Sequence, residues 1–560
     1  MSSIYDIFNI GKHGMMAQQK AIQVTAHNLA NVNTKGYSRQ EVIFEEGMPL
    51  NSGPGQSGTG VNAVAIQRKF DSFLEGQLTD SRETFGNLDV QKKAVSKIED
   101  LFYESAGTGI NELLSQFFNS MHDLSANPAG TAERSSIISR ADALSDTINS
   151  VYSSLEQLQK DMNLQVKQAV NDINNISTQI ASLNVEINRA EVNGQNANDF
   201  RDMRGRLLNE LAEKIDVQYF EDDSGQITVI GGGMATLVEK GNSWSLDTKS
   251  DPDNYGYYDV VYSPNSNNVL KLTDSISNGR LKGYLTIRDS ETRDAMDELD
   301  RLAASIASEV NQVHRAGYGL DGSTGTNLFS PSFEAGDVLS QDVGSIRALS
   351  TNTGTGSLTI AIDDPSALKF NNYELTFSGG NYTLVNKSTN ASSTAVYSDP
   401  SSFTFEGLSV TISGSFDAGD KYSISAHKNT AKDIRAAIGM SDTAKIAAAT
   451  AAADNRGDNR NAIALAQLQD ALKIDGNSSF NSYYGSIVGR IGVKSQSINN
   501  QYAAHEFSSE QLSNMRESVS GVSIDEEMTN LMKYQHAYEA SARLLSIGDE
   551  LMQTLLDILR

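Results

Sequence analysis

From Leu144 to Ile187, thirteen residues recur at steps of three and four: Leu144, Ile148, Val151, Leu155, Leu158, Met162, Val166, Ala169, Ile173, Ile176, Ile180, Leu183 and Ile187. That spacing lays one apolar line along an α-helix. At about 1.5 Å per residue the helix exceeds about 60 Å, so the body of the chain is a rod rather than a ball. Two consecutive steps of four around Met162 and Val166 form a stutter, which locally unwinds a supercoil. A shorter seam, Met296, Leu299, Ala303, Ile306, Val310 and Val313, is a packing partner for the long one.

Both extremities carry seams of their own. Ile4, Phe8, Gly11, Met15, Gln18, Ile22, Thr25, Leu29 and Val32 alternate at four and three, and Leu531, Tyr534, Tyr538, Ser541, Leu545, Gly548, Met552, Leu555 and Leu559 do the same. Ser523-Ile524-Asp525-Glu526 reads as a capping box, with serine and glutamate each satisfying a free amide of the first turn. Only eight prolines occur, five of them between 252 and 400. Because proline breaks helix interiors, helical ends surround an irregular middle. There, Gln226–Leu237, Tyr257–Tyr262 and Tyr284–Ile287 predict one set of strands. A second set runs from Ser357 to Ser425, with Tyr373–Phe377 and Tyr382–Val385 forming a hairpin across Ser-Gly-Gly-Asn.

The expected fold is therefore multidomain α plus β: a long helical-bundle or coiled-coil core built from both termini, with two inserted small all-β domains. The expected units are 1–48 with 515–560 as terminal helices, 49–215 with 286–334 and 429–514 as a helical rod, and β insertions at 216–285 and 335–428. The terminal stripes must be covered. Two readings stay open: the helices shelter each other within one molecule, or neighbouring subunits complete their burial.

Composition narrows the function. Lys plus Arg number 45 against 70 Asp plus Glu, a net charge of −25, and so acidic a surface repels nucleic acid and anionic membranes. There is no cysteine, which removes disulfides, thiolate metal sites and thiol nucleophiles. No run approaches the roughly 20 apolar residues of a membrane span, and the first residues lack the basic-then-apolar layout of a secretory signal. Seven scattered histidines have no metal-ligand spacing, and each reads as solvated or packed. Gly53-Pro54-Gly55-Gln56-Ser57-Gly58 fits a dinucleotide pattern but leads into the strand-like Val61–Ile66, where that chemistry needs a helix. Asp321–Asn327 reads as a polar turn, and the pairs Asp222-Asp223 and Glu526-Glu527 as solvated carboxylates. No catalytic, cofactor-binding or metal-binding residue is nominated.

The stretch Asn28-Leu29-Ala30-Asn31-Val32-Asn33-Thr34-Lys35-Gly36-Tyr37 resembles the amino-terminal signature of the bacterial flagellar rod, hook and hook-associated proteins. Its continuation Ser38-Arg39-Gln40 is similar to the hook-associated branch that joins hook to filament. So are Gly58–Val61 leading to Arg68–Leu74, Arg201-Asp202-Met203-Arg204 with Leu207–Leu211, Val310–His314, and Gly521–Met528 with Tyr534, Gln535 and Tyr538. Lys35 stands where proline is common in the family.

The resemblance implies a structural subunit, not an enzyme, secreted through the flagellar type III system and self-assembling as a homo-oligomer at the hook–filament junction. It implies hook protein and hook-associated protein 3 as neighbours, and an export chaperone on the C-terminal helix. It implies subunit contacts by Ile4, Phe8, Met15, Ile22, Leu29, Leu531, Tyr538, Leu545, Met552 and Leu555. Asn28, Asn31, Thr34, Gly36 and Tyr37 form the family signature, with Asn28, Asn31, Gly36 and Tyr37 expected to set the chain's exit from the first helix. Alternatives are another axial component, hook or distal rod, or a secreted surface-binding module using the β insertions.

Overall fold

In the computed structural model, residues 2–52, 55–103, 107, 109–192, 194–265, 268–339, 345–452 and 456–558 are described. The terminal helices α1 (Ser2–Ala30) and α11 (Ile524–Ile558) pair antiparallel. A Cβ at Gly11 would meet Leu545 at 3.1 Å and one at Gly14 would meet Ser541 Oγ at 2.8 Å, while Gly548 faces Phe8. Between them lie α2 (Ser72–Leu101), α3 (Ile110–Ala126), α4 (Thr131–Glu191), α5 (Asn198–Lys214), α6 (Gly279–Thr286), α7 (Thr292–Ala316), α8 (Thr430–Asp433), α9 (Arg460–Gln467) and α10 (Phe480–Ser520).

The long seam becomes α4, 61 residues and about 90 Å long. Leu144, Ile148, Leu155, Val166, Ile173, Ile180 and Ile187 are all fully buried. The stutter marks a change of partner. Up to Leu158 the helix serves a core shared with α3, α7 and the second β insertion, and from Val166 it serves one shared with α5 and the first. In α7 the predicted residues Leu299, Ala303, Ile306 and Val310 are fully buried.

The first insertion holds a four-stranded sheet in sequence order, Val217–Glu221, Ile227–Gly231, Ala235–Glu239 and Asn242–Ser243. A three-stranded sheet follows, with Tyr258–Asn265 between Leu246–Ser250 and Asn268–Lys271. In the second insertion, a five-stranded and a three-stranded sheet enclose Leu375, Tyr382, Leu384, Ile360 and Val410. The expected hairpin pairs Phe377 with Tyr382 and Ser378 with Asn381. Gly379 and Gly380 have φ of 59° and 81°, the two left-handed residues of a type I′ turn.

Tyr284–Ile287, expected as a strand, is helical. It forms the end of α6 and runs through a π-helical turn at Ile287–Glu291 into α7. Packing overrides the alternation: Leu281 and Leu285 are buried, and Gly283 lets α2 approach so closely that a Cβ there would lie 2.7 Å from Val90 Cβ. Arg288 in the π turn is fully buried, donating to Asn163 Oδ1 and the Tyr258 carbonyl and pairing with Asp289. Near the amino end, Val61–Arg68 is a strand as expected, paired antiparallel with Gln40–Glu46, while Gly53 and Pro54 of the glycine pattern lie outside the described residues.

Candidate assembly interface and the joint that carries it

The signature stretch folds into a joint where α1, α11 and α5 meet. Asn28, 1% exposed, uses both ends of its amide. Its Oδ1 accepts from the Tyr37 hydroxyl at 2.8 Å and from Gln40 N at 3.0 Å. Its Nδ2 donates to the Gln40 carbonyl at 2.8 Å and to Glu527 Oε2 at 3.0 Å. An amide is the side chain that offers two donors and two acceptor sites in this planar arrangement. Asn31 Nδ2 donates to the His27 carbonyl and Asn31 Oδ1 accepts from Thr34 Oγ1, closing the last turn of α1. Gly36 has φ of 74°, and a Cβ there would lie 2.6 Å from Arg206 Cγ, so both conformation and space require glycine. Burial, then Asp199, Asp202 and Glu527, push the Tyr37 hydroxyl above its ordinary pKa, which keeps it a neutral donor.

Arg39 ties this segment to α11: its guanidinium lies 2.6 Å from Glu526 and 2.8 Å from Glu527, and its amide donates to the Ser520 carbonyl. Glu527 is 2% exposed, which corrects the expectation of a solvated pair. A buried carboxylate needs a charged partner, and Arg39 is it. The capping box is also only half realised. The Glu526 amide reaches Ser523 Oγ at 3.5 Å, while the Glu526 carboxylate turns to Arg39.

Helix α5 joins the other units through one turn. Asp202 accepts from Ser38 N and from Arg68 Nη1, both at 2.7 Å, and Asp199 accepts from Gln40 Nε2. On the opposite side, Arg201 pairs with Glu191 of α4 and Glu221 of the first insertion, both at 2.6 Å. Arg204 donates to Asn184, Glu221 and the Gly225 carbonyl. The Arg-Asp-Met-Arg motif thus ties the terminal segment, the rod and the first β insertion. The matched stretches contain Arg39, Arg68 and Asp202, whose roles the sequence alone does not show. The available signal was a charged residue at each matched stretch.

The expected contact residues lie beside this joint. Ile4 has its side chain outside the described residues. Met15, Ile22, Leu29, Leu531, Tyr538, Leu545 and Leu555 are half-buried, and Phe8 and Met552 are exposed. Within the molecule, Gly11, Gly14, Ala17, Ala21, Val24, Thr25 and Asn28 of α1 are buried, Gly11 and Gly14 against Leu545 and Ser541 of α11 and Asn28 against Glu527. Tyr5, Met16, Ile547, Leu551 and Ile558 stay exposed.

The histidines divide. His314 is fully buried, with Nδ1 at the Thr326 carbonyl and Nε2 accepting from Ala447 N, and burial pushes its pKa down to about 4. His427 is buried against Asp297, and His536 is exposed. Among the described residues no three His, Asp or Glu side chains cluster as a metal site, and no helix is long and apolar enough to cross a membrane.

Comparison with known proteins accounts for this arrangement. The family model described as the flagellar hook-associated protein FlgK helical domain matches residues 95–329, and the hook-associated protein 1 D2-like domain matches 348–426. The flagella basal body rod protein model matches 8–37, and the basal body rod FlgEFG protein C-terminal model matches 516–558. Flagellar hook-associated protein 1 of Salmonella typhimurium is 28% identical, over 99% of this chain and 99% of its own. That of Bacillus subtilis is 26% identical, over 100% and 99%. The solved flagellar hook junction protein FlgK of Burkholderia pseudomallei, 21% identical, superposes with a TM-score of 0.69 over 79% of this chain and all of its own, so the fold is shared. The models meet both halves of the joint, the rod and the second insertion, and the chain resembles flagellar hook-associated protein 1 over almost its whole length.

Proposed function

We propose that this chain is a non-enzymatic structural subunit, exported from the cell, that self-assembles at the hook–filament junction and connects hook to filament. The carrying observation is the terminal helix pair. The Asn28–Arg39–Glu527 joint anchors it rigidly, yet it presents Tyr5, Met16, Ile547, Leu551 and Ile558 to solvent. An anchored pair with uncovered apolar residues on both members suits packing against sister molecules, which transmits load into the rod through α5. Hook protein and hook-associated protein 3 are the neighbours this reading requires on either side. Before assembly, the exposed residues of α11 suit cover by an export chaperone.

The test is deletion of residues 530–560. The expected product is a soluble chain whose rod keeps its helical circular dichroism, no longer assembles, and does not join filaments to hooks in cells. Assembly of the shortened chain at wild-type concentrations would overturn the reading. So would normal attached filaments in a strain without the protein.

A further inference from the structure

In the middle of α4 the two apolar cores stop short of each other. One ends at Leu158 and the other begins at Val166, and none of residues 161–165 between them is buried. Polar contacts occupy this belt. Gln159 donates to the Arg288 carbonyl and accepts from the Tyr257 hydroxyl, both at 2.8 Å. Asn163 Oδ1 accepts from Arg288 Nη1 and from Tyr258 N, both at 2.9 Å. At the same level the chain entering α7 makes its π turn, and a groove of about 340 Å³ opens between α2 and α4. The apolar residues packed here form a small cluster of Ala94, Val95, Ile287 and Ile498 with Met162. From Tyr257 and Tyr258, rooted on α4, the turn Asp251–Tyr257 of the first insertion reaches the second. Asp253 accepts from Ser350 N and Ser350 Oγ, both at 2.7 Å, and its carbonyl accepts from Arg347. Tyr255 has Lys428 Nζ 3.2 Å from its ring centre and the Arg347 guanidinium at 4.9 Å, cations drawn to the electron-rich ring.

We infer that the rod rocks at this belt and that the turn Asp251–Tyr257 is a strap that limits the motion. Two cores that each stay intact can tilt against one another while exposing little apolar surface, whereas bending inside either core would uncover side chains that are now fully buried. A π turn is a place where helices bend, and a stutter locally unwinds the supercoil; here both fall on the belt. Since α2, α4 and α10 all contribute to the cluster at this level, the motion is a flexure of continuous helices rather than a free swing. The strap ties one insertion to the other directly. Its contacts are ionic, polar and cation–π, so they break and re-form without opening a core. This is a property of the single chain and does not depend on what the chain assembles with.

The chain has no cysteine, so pairs of dyes can be placed at will and the distribution of their separation read by time-resolved energy transfer on the full chain. Glu239→Cys in the first insertion, Ser388→Cys in the second, and Ser153→Cys and Ser182→Cys on the two halves of α4 are all exposed positions. The strap variant is Asp253→Ala with Lys428→Ala. It is expected at least to double the width of the 239–388 distribution, while the pairs 153–388 and 182–239, each within one half, keep their wild-type widths. Tyr255→Phe retains the ring and keeps the wild-type width in all three pairs. Amide protection at 144–158, 173–187 and 372–386 stays at wild-type values. A strap variant with an unchanged 239–388 width overturns the inference. Broadening of the 153–388 pair would show that the second insertion swings on its own stem, and loss of protection at 372–386 that it unfolds; either result overturns the belt as the pivot.

Discussion

Replacing Asn28 by alanine removes four hydrogen bonds from a buried site, one of them to the Glu527 carboxylate, without removing a charge. Net of exchange with water, each contributes about 1 kcal/mol, and buried groups left without partners raise the cost. The Tyr37 hydroxyl keeps His27 Nδ1 at 3.1 Å and Glu527 keeps Arg39 at 2.8 Å, so their losses are partial. The amide and carbonyl of Gln40, a residue 7% exposed, bear the remainder. The expected destabilisation of the joint is about 3 kcal/mol, a factor of about 150 in its opening equilibrium. Because the joint is a local unit, the loss is regional rather than global. Native-state amide hydrogen exchange reads it directly: protection at residues 37–40 and 524–530 falls about a hundredfold, while the amides of α4 between 144 and 158 keep theirs. Unchanged protection at 524–530 would refute the argument that Asn28 couples the two ends. An equal loss throughout α4 would show that the joint is not a separate unit.

Two further expectations concern the rod. Burial pushes the Glu83 carboxyl up to about 7, against the opposing hydrogen bond from Val217 N. Its contribution is therefore fully present below its unfolded value near 4.5 and lost as pH rises through 7, about 3 kcal/mol in all. Glu83→Gln keeps the acceptor and removes the titration, so urea unfolding should show the variant gaining about 3 kcal/mol on wild type between pH 4.5 and 8. Equal shifts at both pH values would refute it. His314 acts with the opposite sign: with its pKa held near 4 by burial, its contribution is present above its unfolded value near 6.5 and lost as pH falls through 4. Glycine substitutions separate space from propensity. Gly283→Ala, forced against Val90, should cost about 1–3 kcal/mol, whereas Gly489→Ala in α10, where a Cβ meets nothing within 4 Å, should stabilise by up to about 1 kcal/mol. Thermal unfolding of the pair checks both signs.

Periodicity and punctuation made the architecture legible. The seam from Leu144 to Ile187, the terminal seams, the proline distribution and the Gly379-Gly380 turn each report on backbone conformation within a few residues, and each corresponds to an element of the structure. The same local rules failed at Tyr284–Ile287, where an alternating pattern is read by α2 and α7 as one more stretch of helix. Within one molecule, the antiparallel approach of α11 brings Leu545 and Ser541 over Gly11 and Gly14, which leaves no room for a Cβ at either glycine without adjustment.

The amino-acid sequence by itself determined that the chain is a helical rod with two β insertions and helical ends, since hydrophobic period and turn chemistry act over distances that a short segment spans. It also carried the family likeness in stretches whose roles local reasoning could not assign. Tertiary structure alone decided that Asn28 meets Glu527, 499 residues away. It also decided that Glu527 is buried rather than solvated, and that one turn of α5 holds Ser38 and Arg68 on one side and Glu191 and Glu221 on the other. Whether a carboxylate is buried depends on which cation folds against it, and that partner lies at the opposite end of the chain.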